Sequence, residues 1–212
     1  MKLTVFGATG GTGVEVVRQA LAAGHQVTAV VRDPARLDVP AHARLDVVTA
    51  DVLDPPSIES AISGRDVVIS ALGPRGRGPT TICRDGTEAI MVAMRRAGVH
   101  RLIVVSNSGM HTQGDGFFTR GIVKPILIRV LREGYADMSA MEERVGVSGL
   151  DWTIVRPPRL TNWAHSGRIA SSTKGNVRGS FTIGRADLAD YLLRAASDDS
   201  VIRTAVSVAT GK

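Results

Sequence analysis

The chain has 212 residues, 43% hydrophobic and 22% charged, which is enough for one sizeable core in a single domain. The formal net charge is +6, but the arginines are scattered and only four Phe, two Tyr and two Trp are available for base stacking, so a basic surface with a cleft for an anionic small molecule is expected rather than a nucleic-acid interface. One cysteine, Cys83, excludes an internal disulfide, and no apolar run approaches the roughly 20 residues of a membrane span.

Lys2 to Phe6 reads as a short apolar strand that carries a single lysine, so no signal peptide is expected before it and a reducing cytoplasm suits the chain. It runs into Gly7-Ala8-Thr9-Gly10-Gly11-Thr12-Gly13 before a helical pattern begins at Val14, with Val14, Val17 and Leu21 on one face. Between a strand and a helix, this is a nucleotide-binding turn. Gly7 lets the strand turn sharply, Gly10 lets backbone amides approach a pyrophosphate, and Gly13 lets the helix lie close to the strand. The helix start adds unpaired N–H groups and the positive end of its dipole.

Gln26 to Val31 is the second strand, and it ends in Arg32-Asp33. A carboxylate at this tip, about 20 residues past the glycine turn, would bind a ribose 2′-OH and select NAD. Arg32 occupies the tip instead, and a guanidinium there grips a 2′-phosphate, so NADP(H) is the expected cofactor, with Arg36 one helical turn on as a second cation. An inward Asp33 would still admit NAD. Leu45 to Ala50 is the third strand, followed by Asp51-Val52-Leu53-Asp54, Pro55-Pro56 and a short helix from Ser57 to Ile62. Asp51, at the carboxyl end of a parallel strand, is placed to accept the adenine amino group, while Asp54 is better placed to cap the helix. The fourth strand, Asp66 to Ala71, is almost wholly apolar and ends in Leu72-Gly73-Pro74, where Gly73 permits a close backbone approach and Arg75 to Pro79 makes a mobile basic loop.

A helix with Ile90, Ala93, Met94 and Ala97 in register stops at Gly98, with Met91 and Met94 as filler and Cys83 as a small buried hydrophobe. The fifth strand, Arg101 to Val105, delivers Ser106-Asn107-Ser108 to the sheet edge that also carries Gly7, Asp51 and Gly73. Packing alone does not require small polar groups at four strand tips. His111 is expected in solvent. Ile122 to Leu131 is apolar around Pro125, Ala136 to Val147 is a helix, and Trp152 to Val155 a sixth strand leading to Pro157-Pro158-Arg159. Arg159 would hold a carboxylate or phosphate of a substrate, or stand as a solvated loop cation. Arg168 to Thr182 is polar and glycine-rich, and a last helix (Leu188, Tyr191, Leu192, Ala195) and last strand (Thr204 to Val208) close the chain. The alternation of strand and helix predicts an α/β doubly wound parallel sheet in one domain over residues 1–212. A small substrate-side region would come from about 109–135 and 157–183.

The glycine turn, Val31-Arg32-Asp33-Pro34-Ala35-Arg36-Leu37, Asp51-Val52-Leu53, Ala71-Leu72-Gly73, Ser106-Asn107-Ser108 and Ser148 to Pro157 together resemble an atypical short-chain dehydrogenase/reductase. The chain is most similar to the NAD(P)H-binding group that includes NmrA-like proteins and the biliverdin reductase B type of flavin reductase. The resemblance implies a Rossmann-like fold in which Gly7, Thr9, Gly10, Gly11 and Thr12 hold the pyrophosphate, and Arg32 and Arg36 meet the 2′-phosphate. It also implies that Asp51 and Val52 flank adenine, and that Leu72 and Gly73 line the nicotinamide ribose path.

The Tyr-x-x-x-Lys pair of ketone-reducing relatives is missing: Ser139 stands four residues after Tyr135, and Met138 sits where relatives often place a lysine or histidine. Tyr135 is therefore expected to be catalytically silent. Hydride transfer to a stacked, electron-poor ring needs no such pair, because orientation of two flat rings supplies most of the catalysis. The expected activity is NADPH-dependent reduction of a flavin-like or other planar small-molecule acceptor, with Ser106 hydrogen-bonding the nicotinamide or the substrate. A non-catalytic dinucleotide sensor of the NmrA-like type is the alternative. No metal, nucleic acid or membrane is expected to take part, and the protein is expected as a monomer or small homo-oligomer.

Overall fold

The computed structural model describes residues 1–74, 76, 78–116, 124 and 129–211. The expectations for Arg75 and for most of Ile122 to Leu131 therefore lie outside the described residues. In chain order the elements are β1 (Lys2–Phe6), α1 (Gly11–Ala22), β2 (Gln26–Val31), β3 (Leu45–Thr49), α2 (Pro55–Ile62), β4 (Val67–Ser70), α3 (Ile82–Ala97) and β5 (Arg101–Val105). They continue with α4 (Arg132–Gly146), β6 (Asp151–Arg156), β7 (Arg159–Thr161), β8 (Ile169–Ser172), β9 (Thr182–Gly184), α5 (Arg185–Ala196) and β10 (Thr204–Thr210).

Among the described residues eight strands form one sheet in the order β3-β2-β1-β4-β5-β6-β10-β8, parallel throughout except for β8, which runs antiparallel to β10. The order reverses between β1 and β4, so a crevice opens beyond the carboxyl ends of those two strands, where ligands of such sheets bind. Alternation along each strand sends side chains to two separate cores. Leu3, Val5, Val67, Ile69 and Ile103 pack under α1 and α5 with Val16, Val17, Leu188 and Leu192. Phe6, Val68, Leu102 and Val104 pack under α2, α3 and α4 with Ile58, Ile90, Met94 and Met141. Helices on both faces explain why β4 reads as an almost wholly apolar run. Thr4 is polar yet fully buried, and its hydroxyl is satisfied by donating to the Ala61 carbonyl of α2.

Several boundaries differ from the sequence reading. Helix α1 begins at Gly11, not Val14, because Gly11, Thr12 and Gly13 form its first turn yet add nothing to the hydrophobic period. Helix α4 likewise starts a turn earlier, at Arg132. Asp54 does stand at the cap position of α2, but its carboxylate makes no cap hydrogen bond. Pro55 and Pro56 have no N–H to offer, and the first free amide, Ser57, bonds the Asp54 carbonyl at 3.0 Å. Helix α3 stops at Gly98 as expected, with Gly98 in the left-handed conformation. The polar stretch after β6 resolves into β8 and a two-stranded parallel ribbon, β7 with β9.

Candidate functional site

The site begins where β1 meets α1. Gly7 has φ of +75°, and a Cβ there would lie 2.5 Å from the Ala71 carbonyl at the tip of β4. A Cβ on Gly13 would lie 2.2 Å from the Gly7 carbonyl, so helix and turn touch backbone to backbone. Both positions therefore require glycine. At Gly10 the demand is milder, with one contact at 3.2 Å. Gly10 and Gly11 are exposed, Thr9 is half-buried, Thr12 is buried, and the cap of α1 makes no side-chain hydrogen bond. The first-turn amides of α1 are left facing the crevice, the arrangement that accepts a phosphate.

At the tip of β2, Arg32 and Arg36 are both exposed. Asp33, which the sequence left open, is committed locally: its carboxylate accepts the Ala35 N–H at 3.1 Å and caps the short turn Pro34–Arg36. Asp51 behaves in the same way, accepting the Leu53 N–H at 3.0 Å while exposed at the end of β3. Val52 is buried, Leu72 is half-buried and Gly73 is exposed. Val52 and Leu72 meet over Gly86 of α3, where a Cβ would come within 2.9 Å of Leu72 and 3.5 Å of Val52. Gly86 thus lets α3 support the wall that these two side chains make, a role that no motif in the sequence marks.

The tips of β5 and β6 carry a network that the sequence reading missed. Glu142 of α4 is buried and receives two bonds from Arg156, Nε at 3.0 Å and Nη2 at 2.5 Å. The Ser106 hydroxyl donates to the same carboxylate at 2.5 Å, and His111 Nε2 lies 3.3 Å from Glu142 Oε2. Burial acts to raise the Glu142 carboxyl, but the hydrogen bonds from His111, Arg156 and Ser106 and the charge of Arg156 outweigh it and bring it down to about 2. The Ser106 hydroxyl, expected to face nicotinamide or substrate, is itself buried and committed to Glu142. His111 is not free in solvent as expected: it is half-buried, with its ring against the Glu142 carboxylate. Its loop is pinned by Lys124, buried against Asp115 at 3.0 Å and donating to the Ser108 and His111 carbonyls, and by Asn176, which donates to the His111 carbonyl at 2.7 Å. The two segments expected on the substrate side, around 111–115 and 176, meet here.

One signal for this network was present. Glu142 stands in the apolar stripe of α4 beside Met138, Met141 and Val145, and a carboxylate in such a stripe needs a buried partner. Beside the network, Met110, His111, Arg156, Asn176 and Ser207 line a cleft of about 320 Å³. The Tyr135 hydroxyl is turned onto Gly109, where a Cβ would sit 2.2 Å from it, and burial raises the phenol above its ordinary value. Arg159 lies exposed at the start of β7. Among the described residues no group of three or more His, Cys, Asp or Glu is placed to hold a metal ion, and no helix is long and apolar enough to cross a membrane.

The NAD(P)H-binding family model matches residues 7–199, from the glycine turn through α5. The chain belongs to the NAD(P)H-binding family. Among curated proteins it is 28% identical over 224 residues to a UPF0659 protein of Schizosaccharomyces pombe, covering 98% of this chain and 89% of that one. An uncharacterized chloroplastic protein of Arabidopsis thaliana is 31% identical over 178 residues, covering 79% of this chain but 62% of its own greater length. Among solved structures, a wide-type short-chain dehydrogenase/reductase from Veillonella parvula in complex with NADP superposes with a TM-score of 0.79 at 18% identity, covering 100% of this chain and 94% of that one. This last likeness is one of fold. The Rossmann-like sheet, the family and the glycine turn thus agree on an NAD(P)H-binding protein.

Proposed function

We propose that the protein is an NADPH-dependent reductase that passes hydride to a flavin-like or other planar small-molecule acceptor. The observation that carries the reading is the open first turn of α1 with Arg32 and Arg36 exposed beyond β2 and the Asp33 carboxylate folded into its own turn. Such a tip offers a 2′-phosphate two cations and leaves a ribose 2′-OH without its usual acceptor, which supports NADP(H) over NAD(H). The Veillonella relative in complex with NADP is consistent with that choice. Thr9 to Thr12 would hold the diphosphate, Asp51 and Val52 would flank adenine, and Leu72 and Gly73 would line the path to the nicotinamide.

The acceptor class follows from what the site does not supply. The Tyr135 phenol faces Gly109, and Ser139 stands where a lysine would lower its pKa, so ketone reduction lacks its proton donor. A planar ring that takes hydride directly needs chiefly to be stacked and oriented. Trp163 and Phe181, at opposite ends of the β7–β9 ribbon, are 57% and 61% exposed and offer aromatic faces, with exposed Arg159 at hand for an anionic group on the acceptor. A second reading, a dinucleotide sensor without turnover, is favoured by one observation: the Ser106 hydroxyl is committed to Glu142 and so is not offered to a substrate. Steady NADPH oxidation on adding flavin mononucleotide or a quinone supports the reductase. Saturable NADP(H) binding with no oxidation across a panel of planar acceptors would replace it with the sensor.

A further inference from the structure

We propose that Arg185 is a second-side cation for the cofactor's diphosphate, reaching across the glycine turn from the first position of α5. The proposal rests on the reading of that turn as the dinucleotide site. A Cβ on Gly11 would lie 2.7 Å from Arg185 Cδ, 2.8 Å from its Nε and 3.7 Å from Cζ, so the guanidinium end of Arg185 packs directly on the first residue of α1. Gly11, whose place in the turn otherwise needs only a small residue, is the gap that admits it. Gln19, in the last third of α1, donates to the Ala186 carbonyl at 2.8 Å, and the two helices share one core through Val16, Val17, Leu188 and Leu192, so α5 is fixed against α1 while the Arg185 side chain reaches its first residue.

The guanidinium is aimed as well as placed. Arg185 Nη1 donates to Asn162 Oδ1 at 2.5 Å, which sets the orientation of the group without neutralising it. Among the described residues no carboxylate lies within ion-pair distance of Arg185. A cation at the start of one helix, pressed against the start of another, meets two positive dipole ends and is unfavourable until an anion arrives. A diphosphate cradled by the amides of Gly10 to Thr12 would sit against it and accept paired charge-assisted bonds. Arg32 recognises one phosphoryl group at the adenosine end. Arg185 would recognise the bridge that NADP(H) and NAD(H) share.

The two roles separate with three probes: NADPH, ADP-ribose, which has the diphosphate without a 2′-phosphate, and adenosine 2′-monophosphate, which has the 2′-phosphate alone. Titrated by calorimetry into the full chain, Arg185→Ala should weaken NADPH and ADP-ribose by between roughly tenfold and a hundredfold and leave adenosine 2′-monophosphate unchanged. Arg32→Ala should do the reverse for the two fragments, and Arg185→Lys should recover part of the ADP-ribose affinity. Unchanged affinity for the fragment without diphosphate also shows that the variant is folded. Wild-type affinity of Arg185→Ala for NADPH and ADP-ribose would overturn the role of Arg185 while leaving the site intact, as would an equal loss of all three probes. Failure of the wild-type chain to bind any of them would remove the site reading and this proposal with it.

Discussion

Replacing Glu142 by glutamine tests whether the buried network at the tips of β5 and β6 holds the site edge together. The carboxyl falls from the ordinary glutamate value of 4.5 to about 2 in the folded chain, a difference of about 2.5 units that corresponds to about 3 kcal/mol of stability. The folded value lies below the unfolded one, so this contribution is complete above about pH 4.5 and is lost as the pH falls through about 2. Glutamine cannot ionise, and it leaves Arg156 and the buried Ser106 hydroxyl short of their acceptor. Urea denaturation should therefore show Glu142→Gln about 3 kcal/mol less stable at pH 7, with the gap narrowing to about 1 kcal/mol at pH 3. Other carboxylates titrate in both proteins and cancel in the comparison. For a chain of this length the deficit at pH 7 amounts to roughly 6–12 °C in Tm. A gap below about 1 kcal/mol at pH 7, or one equally large at both pH values, would show that the network contributes no net stabilisation through its charge.

Other outcomes follow from single contacts. Gly13→Ala places a Cβ 2.2 Å from the Gly7 carbonyl, and because neither backbone can yield without parting helix from turn, we expect a loss of about 1–3 kcal/mol and of NADPH binding. Gly10→Ala, with a single contact at 3.2 Å, should be milder; thermal melts ranking the two variants the other way round would contradict the geometry. Arg32→Ala should weaken NADPH by about tenfold or more while sparing NADH, and equal weakening of both coenzymes would refute the assignment of the 2′-phosphate to Arg32. Burial, with Asp137 beside it, pushes the Cys83 thiol up to about 12, so a thiol reagent at pH 8 should label the chain only after it is unfolded. Labelling of the native protein at the rate of a free thiol would count against that burial.

The sequence made the sheet legible because its signals are local. β2 and β5 match their expected ranges, since each is a mostly apolar segment with helices over both faces and turn residues at its ends. The glycine turn was readable because each of its glycines answers a separate backbone need. The start of α1 was misplaced for the same reason: three residues without apolar side chains carry no period, yet they are helical. Asp33 shows a different limit. Whether its carboxylate faces the crevice or caps its own turn depends on one hydrogen bond two residues away, which neither composition nor spacing decides. The Glu142 network is harder still to read, because it joins the ends of β5 and β6 to the middle of α4 across 36 and 14 residues of chain. Arg185 is the extreme case, meeting Gly11 from the far end of the sequence only after α1 and α5 have packed side by side.

The most direct test of the account is a titration of NADPH into the wild-type chain, followed by the change in nicotinamide fluorescence. Saturable binding with one coenzyme per chain, tighter than NADH under the same salt, is the result expected from an open glycine turn with Arg32 beyond it. No saturable signal from either coenzyme into the millimolar range, where ligands hold by only about 4 kcal/mol, would contradict it.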